Sequence, residues 1–184
     1  MGWTFTHVEK GASVSEFFAN QFNYTREDGS YGKVLLCKST PHEAYIAYER
    51  KLVGQEPEVT AIVCLIHRVK AHFNFGYKDM DETMQPYYYN CPKEVLALLT
   101  PTTNMNAQVW RNECANNNAQ KVLTKALKKG DVVEFDTPFN FKGYGKAAIF
   151  TVLDIKKSHY YAQSLGITVK LTKSSVANRS FVVL

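Results

Sequence analysis

Three carboxylates, Asp79, Asp81 and Glu82, stand close together in the stretch GYKDMDETMQP, with His67 and His72 just upstream. Side chains two apart in an extended segment project to one side. Asp79 and Asp81, joined by Glu82 and His72, therefore form a set of hard donors suited to a divalent cation. A cation held there would activate water against a phosphodiester, the chemistry of a small metal-dependent nuclease or phosphoesterase. The structural alternative is that these carboxylates accept backbone hydrogen bonds or cap a helical turn. That alternative is the better reading, because metal sites built from sequence neighbours usually show a more regular ligand order.

Other catalytic patterns are missing. There is no GxSxG elbow, and Cys64 and His67, three apart on a strand, face opposite sides. Gly143 and Gly145 are followed by neither GK[ST] nor GxGxxG, which excludes a P-loop. His67 reads as a structural histidine of a strand face, and His7, His42 and His159 have no partner that spacing assigns. No cofactor is implied.

A second constellation is electrostatic. The chain of 184 residues carries 22 Lys+Arg and 17 Asp+Glu, a net charge of +5. Residues 1–119 hold 11 basic and 13 acidic side chains, net −2, whereas residues 120–184 hold 11 and 4, net +7. Lys121, Lys125, Lys128 and Lys129 fall on one helical stretch. Lys142, Lys146, Lys156, Lys157, Lys170, Lys173 and Arg179 follow among strands and turns, interleaved with Tyr144, Tyr160 and Tyr161. Lysines among aromatic rings hold phosphates while bases stack, so this region is the candidate nucleic-acid surface. Lysine in place of arginine argues against base-specific reading. An ordinary solvated lysine surface is the competing account.

The elements that would position these groups follow from periodicity. Trp3, Phe5 and His7 alternate with Thr4, Thr6 and Val8 as a first strand. Ser13 with Glu16 three residues on is a capping box opening a helix whose Phe17, Phe18 and Phe22 form one face. Strands are expected at 33–38, 43–52 and 59–69, the last apolar on both faces and hence central, with a hairpin turn at 54–57. Residues 70–91 read as a long acidic and aromatic loop. Pro92 opens a short helix, and residues 104–129 form a helix or helix pair with Trp110 and Cys114 on one side and Asn116–Asn118 as a weak middle. From Asp131 onward the period is two, giving four short strands. The expected class is α+β: an N-terminal antiparallel sheet with helices (1–103), the central helical segment (104–129), and a C-terminal small sheet or partly open barrel (130–184), the whole forming one compact domain or separate units.

Four cysteines lie 27, 27 and 23 residues apart, which fits neither a zinc nor a disulfide pattern and suggests reduced thiols. No apolar run approaches the ~20 residues of a spanning helix, and MGWTFTH lacks the features of a secretory signal, so a cytoplasmic protein with no membrane partner is expected.

At GYKDMDETMQP (76–86), CPKEVLALLTPT (91–102) and a helix with Trp110 and Arg111, the sequence resembles an uncharacterised family of small bacterial, plasmid and phage proteins. MGWTFTH, AYIAYER (44–50), the apolar strand ending in Cys64 and Leu65, and LKKGDVVEF (127–135) fit the same pattern, while Gln85 stands where that pattern has glycine. The resemblance implies no activity and no catalytic residue. It implies a setting, that of mobile-element accessory proteins that bind host or phage nucleoprotein machinery. A counter-defence inhibitor of a CRISPR nuclease or restriction system is one example. LKKGDVVEF also looks like the opening of the small barrels of many RNA-binding modules.

The expected function is thus non-enzymatic binding of nucleic acid or of a nucleoprotein complex, including a host defence protein. The alternative is the metal-dependent hydrolase. A third reading is an oligomer anchored by Tyr87, Tyr88 and Tyr89, since sequence alone leaves the oligomeric state open.

Overall fold

Ser13 stops the extended chain and accepts a hydrogen bond from the Glu16 N–H at 3.3 Å, which starts helix α1 (Val14–Phe22) with one orphan donor satisfied. In the computed structural model, which describes residues 3–9, 11–69, 72–79 and 88–184, this helix lies on a six-stranded antiparallel sheet. Its strands are β1 (Thr4–Glu9), β2 (Tyr24–Thr25), β3 (Tyr31–Ser39), β4 (Glu43–Lys51), β5 (Glu58–Arg68) and β6 (His72–Asp79), in the order β1-β6-β5-β4-β3-β2. Two compact units divide the chain, 1–115 and 116–184, and this sheet belongs to the first.

Strand β5 sits between β4 and β6 and buries both faces, as its continuous apolar run requires. On one face Ile62, Cys64 and Ile66 meet Phe18, Phe73 and Phe75. Here Phe17, Phe18 and Phe22 of α1 make edge-to-face contacts with Phe75, Tyr77 and Tyr48 at centroid separations of 5.2–5.8 Å. Each such pair adds about 0.5–1.5 kcal/mol beyond its buried area. On the other face Val59, Ala61 and Val63 meet Cys91, Val95, Trp110 and Cys114, which come from the short helix α2 (Lys93–Leu96) and the long helix α3 (Met105–Ala126).

The residues densest in the family resemblance hold that second layer in place. Cys91 is fully buried, and the Trp110 indole N–H donates to the Tyr88 carbonyl at 2.7 Å. Arg111 donates to the Thr100 carbonyl, and the Thr100 hydroxyl ties back to Val59 of β5. Tyr88 and Tyr89 pack against the same core, so they serve this unit's own interior; Tyr87 lies outside the described residues.

Two expectations change here. The stretch read as a loop over 70–91 contains a full strand, because Phe73, Phe75 and Tyr77 alternate with Asn74, Gly76 and Lys78 and pair with both β5 and β1. Helix α3 runs unbroken through Asn116–Asn118, opened by the Asn104 side chain, which accepts from the N–H groups of Asn106 and Ala107 at 3.0 and 3.2 Å. It contributes residues 105–115 to the first unit and 116–126 to the second.

The second unit is a five-stranded antiparallel sheet, β10-β9-β8-β7-β11, separate from the first. Its strands are β7 (Val132–Phe141), β8 (Gly145–Ile155), β9 (His159–Ser164), β10 (Ile167–Thr172) and β11 (Phe181–Val183), with a short helix α4 (Lys173–Ala177) before the last. Val133, Phe135, Phe150, Val152, Ala162, Leu171 and Phe181 form its core with Leu127, the residue after α3. Irregularities between Glu134 and Phe139 and between Val152 and Asp154 bend the sheet. The fold class is α+β.

All four cysteines are free thiols, with Cys64, Cys91 and Cys114 buried. Burial pushes the Cys64 thiol up to about 12 and raises Cys91 and Cys37 as well, so none of these three is poised as a nucleophile. Among the described residues no helix is long and apolar enough to cross a membrane.

Candidate functional site

The net charge of +7 lies wholly within the second unit, because residues 116–119 carry no charge. There the chain between β7 and β8 turns through Lys142, Gly143 and Tyr144, closed by a bond from the Tyr144 N–H to the Phe141 carbonyl at 3.0 Å. Gly143 and Gly145 take φ values of 82° and 90°, in the left-handed region where glycine is favoured, and the turn leaves the Tyr144 ring 63% exposed. A hollow of about 390 Å³ opens beside it. Asn140, Phe141, Lys142 and Tyr144 line one side and Ile167, Thr168 and Lys170 of β10 the other. Two ammonium groups and two aromatic rings thus share one concave surface, and no carboxylate among the described residues lines it.

Lys170 also belongs to a ladder across the sheet. It stands opposite Tyr161, which stands opposite Asp154. Asp154 pairs with Lys156 at 2.7 Å. That hydrogen bond, the Ile155 N–H and the charge of Lys129 hold the Asp154 carboxyl below its ordinary range, and the same bond with the carboxylate charge raises Lys156. His159 meets the Tyr161 ring edge-on at 4.9 Å, with its Nε2 shielded from solvent and without a hydrogen-bond partner. Loss of solvent, then the charges of Lys170 and Lys156, lower its pKa. Lys129, Lys156, Lys170 and Lys173 therefore act within one electrostatic neighbourhood that contains a single carboxylate, Asp154, among the groups that perturb it.

The sequence-predicted set divides accordingly. Lys142, Tyr144 and Lys170 come together in the hollow, and Lys129, Lys156 and Tyr161 lie along the ladder. Lys146 is exposed opposite Asn140 beside the hairpin, and Lys128 and Lys157 are exposed in the turns at 128–131 and 156–159. Tyr160 is a correction: it is 3% exposed, with its hydroxyl donating to the Thr124 carbonyl at 2.6 Å, so its ring belongs to the core and not to a stacking surface. Alternation within β9 separates it from Tyr161, and Lys173 lies over its ring at 5.4 Å. Phe141 and His159 were not foreseen. Phe141 borders the KGYG turn, which is the one sequence signal it offered.

Residues 101–174 match the family model of a domain of unknown function, DUF6927. The match covers α3 and β7–β10, so it takes in most of the basic unit; it begins after the motif at 76–86 and shares only the last two residues of the motif at 91–102. No curated protein and no solved structure matches the chain.

The acidic constellation fares differently. His72 and Asp79 are the two ends of β6, seven residues apart, or about 23 Å at the rise of a strand, so a single ion cannot be shared by both. His72 instead meets His7 edge-on at 4.9 Å, and His7 is hydrogen-bonded to Asn74. The backbone of Asp79 pairs with Ile62, while Asp81 and Glu82 lie outside the described residues. Among the described residues no group of three or more His, Cys, Asp or Glu could hold a metal ion.

Proposed function

We propose that the protein is a non-enzymatic nucleic-acid-binding protein that engages a single strand, free or within a nucleoprotein complex, through the 116–184 unit. The observation that carries this reading is the hollow shared by Lys142, Tyr144, Phe141 and Lys170, where charge and the exposed Tyr144 ring occur together. The lysines would neutralise backbone phosphates without reading sequence, and Tyr144 would offer a stacking platform that tolerates any base. Lys129 and Lys156, beside Asp154 at the far end of the Asp154–Tyr161–Lys170 ladder, would extend the same positive field for the strand to follow.

The setting proposed for this activity is the cytoplasm, which the free cysteines support. The motif resemblance to plasmid and phage proteins adds the proposal that the target is a nucleoprotein of the host, with inhibition of a CRISPR nuclease as the specific case. No observation favours the hydrolase reading over this one.

Fluorescence anisotropy with a labelled oligothymidine and a duplex of equal length, at low salt, tests the proposal. Binding of the single strand is expected, weakened about tenfold by Lys142→Ala with Lys170→Ala. Tyr144→Ala should remove a stacking contact of about 1–3 kcal/mol. Absence of binding to either probe would sink direct recognition and leave a protein partner alone.

A further inference from the structure

A second hollow in the basic unit, of about 290 Å³, is formed without any residue of the first. Lys121, Thr124 and Lys125 line it from α3, Tyr160 from β9, and Lys173 and Ser174 from α4. Helical spacing explains the first three, since residues 121, 124 and 125 share one face of α3. The polar atoms beneath are already engaged. The Tyr160 hydroxyl donates to the Thr124 carbonyl, and the Thr124 hydroxyl donates to the Gln120 carbonyl at 2.7 Å. The floor therefore presents a buried ring with the Lys173 ammonium 5.4 Å from its centroid, Lys121 and Lys125 line the hollow from the helix, and no carboxylate among the described residues lines it.

We infer that this hollow binds a terminal phosphate monoester carried on a small organic body. The charge count selects the anion: Lys125 and Lys173, with no carboxylate among the described residues lining the hollow, match the two charges of a dianion, and a monoanionic carboxylate would match only one. The residue type is compatible with this, because an ammonium on a flexible stem can turn its three donors to the several oxygens of a tetrahedral phosphate. The Ser174 hydroxyl can donate to a further oxygen. The size and the apolar floor select the body, since about 290 Å³ admits a group no larger than a nucleoside. Such a monoester can be a free nucleotide or the 5′ end of a nucleic acid. The inference stands whether or not the first hollow binds a strand.

Isothermal titration calorimetry of the full chain with AMP, adenosine, and one pentanucleotide in 5′-phosphoryl and 5′-hydroxyl forms tests it. AMP is expected to bind at one site and adenosine at least tenfold more weakly. The double variant Lys125→Gln, Lys173→Gln should lose at least tenfold in affinity. Lys125→Arg with Lys173→Arg should retain binding, and Lys38→Gln in the first unit should leave it unchanged. Preference for the phosphoryl over the hydroxyl pentanucleotide, with AMP weak, would identify the nucleic-acid end as the source. The reverse would identify a free nucleotide, and both outcomes support the site. Binding that ignores the phosphate, or that survives the glutamine pair, would overturn it, as would no binding by either phosphorylated probe.

Discussion

Individual residues divide between those that hold the framework and those left to act. Gly32 and Gly76 show how differently one residue type can be constrained. A Cβ built on Gly32 would stand 2.4 Å from the Tyr48 hydroxyl and 2.6 Å from the Phe22 carbonyl, and the carbonyl is backbone that cannot swing away. On Gly76 it would meet only the ring of Phe5 at 2.8 Å, and that side chain is 73% exposed and free to move. Gly32→Ala should therefore lower stability by about 1–3 kcal/mol in denaturant melts, and Gly76→Ala should change it by much less. His159 makes a pH prediction. Its folded-state pKa lies below the ordinary 6.5, so as pH falls through that value the unfolded chain takes up the proton first. Its contribution to stability is then lost from about pH 6.5 downward. His159→Gln should flatten that part of the stability profile relative to the parent protein, and identical profiles would contradict the assignment.

At the scale of elements, helix starts and the central strand were legible because their signals are local. Ser13 with Glu16 marks the first turn of α1, and apolar residues on both faces of 59–66 mark a strand with neighbours on each side. Strand β6 was obscured because its acidic and aromatic residues were read as one composition, when its rings alternate and only one set faces α1. Four strands were expected after Asp131 and five are found: β9 was hidden because HYYAQS sets aromatic, small and polar residues side by side without a clean apolar alternation, and the five residues of α4 are too few to show a helical period. Within the candidate site the lysines and Tyr144 were legible as types, but their convergence was not. Residues 141–144 and 167–170 line one hollow although β10 is two strands from β8 in the sheet order, a proximity that side-chain spacing does not encode. The start of α3 supplies a prediction of its own. Asn104→Ala removes the acceptor for two N–H groups and should cost about 1 kcal/mol, whereas Asn104→Asp should cost little.

Over the whole molecule the decisive property is the distribution of charge. A net +5 on 184 residues is unremarkable, yet it is composed of a −2 unit whose sheet is covered on both faces and a +7 unit whose sheet carries lysines and open hollows. The two parts do different physical work. The first buries aromatic and aliphatic side chains against helices, and the second buries a core within its sheet while leaving Lys146 and Lys170 exposed on its strands and Lys142 and Lys157 exposed at its turns. If those lysines meet phosphates, binding must release counterions, and log K must fall linearly with log salt with a slope of about −0.7 per phosphate contacted on a single strand. The most direct test is this slope, measured by anisotropy with oligothymidine from low to physiological salt. The account predicts a slope of about −2 to −4, reduced by about 1 in the Lys142→Ala, Lys170→Ala variant. A slope near zero, or one that the two substitutions leave unchanged, would contradict it.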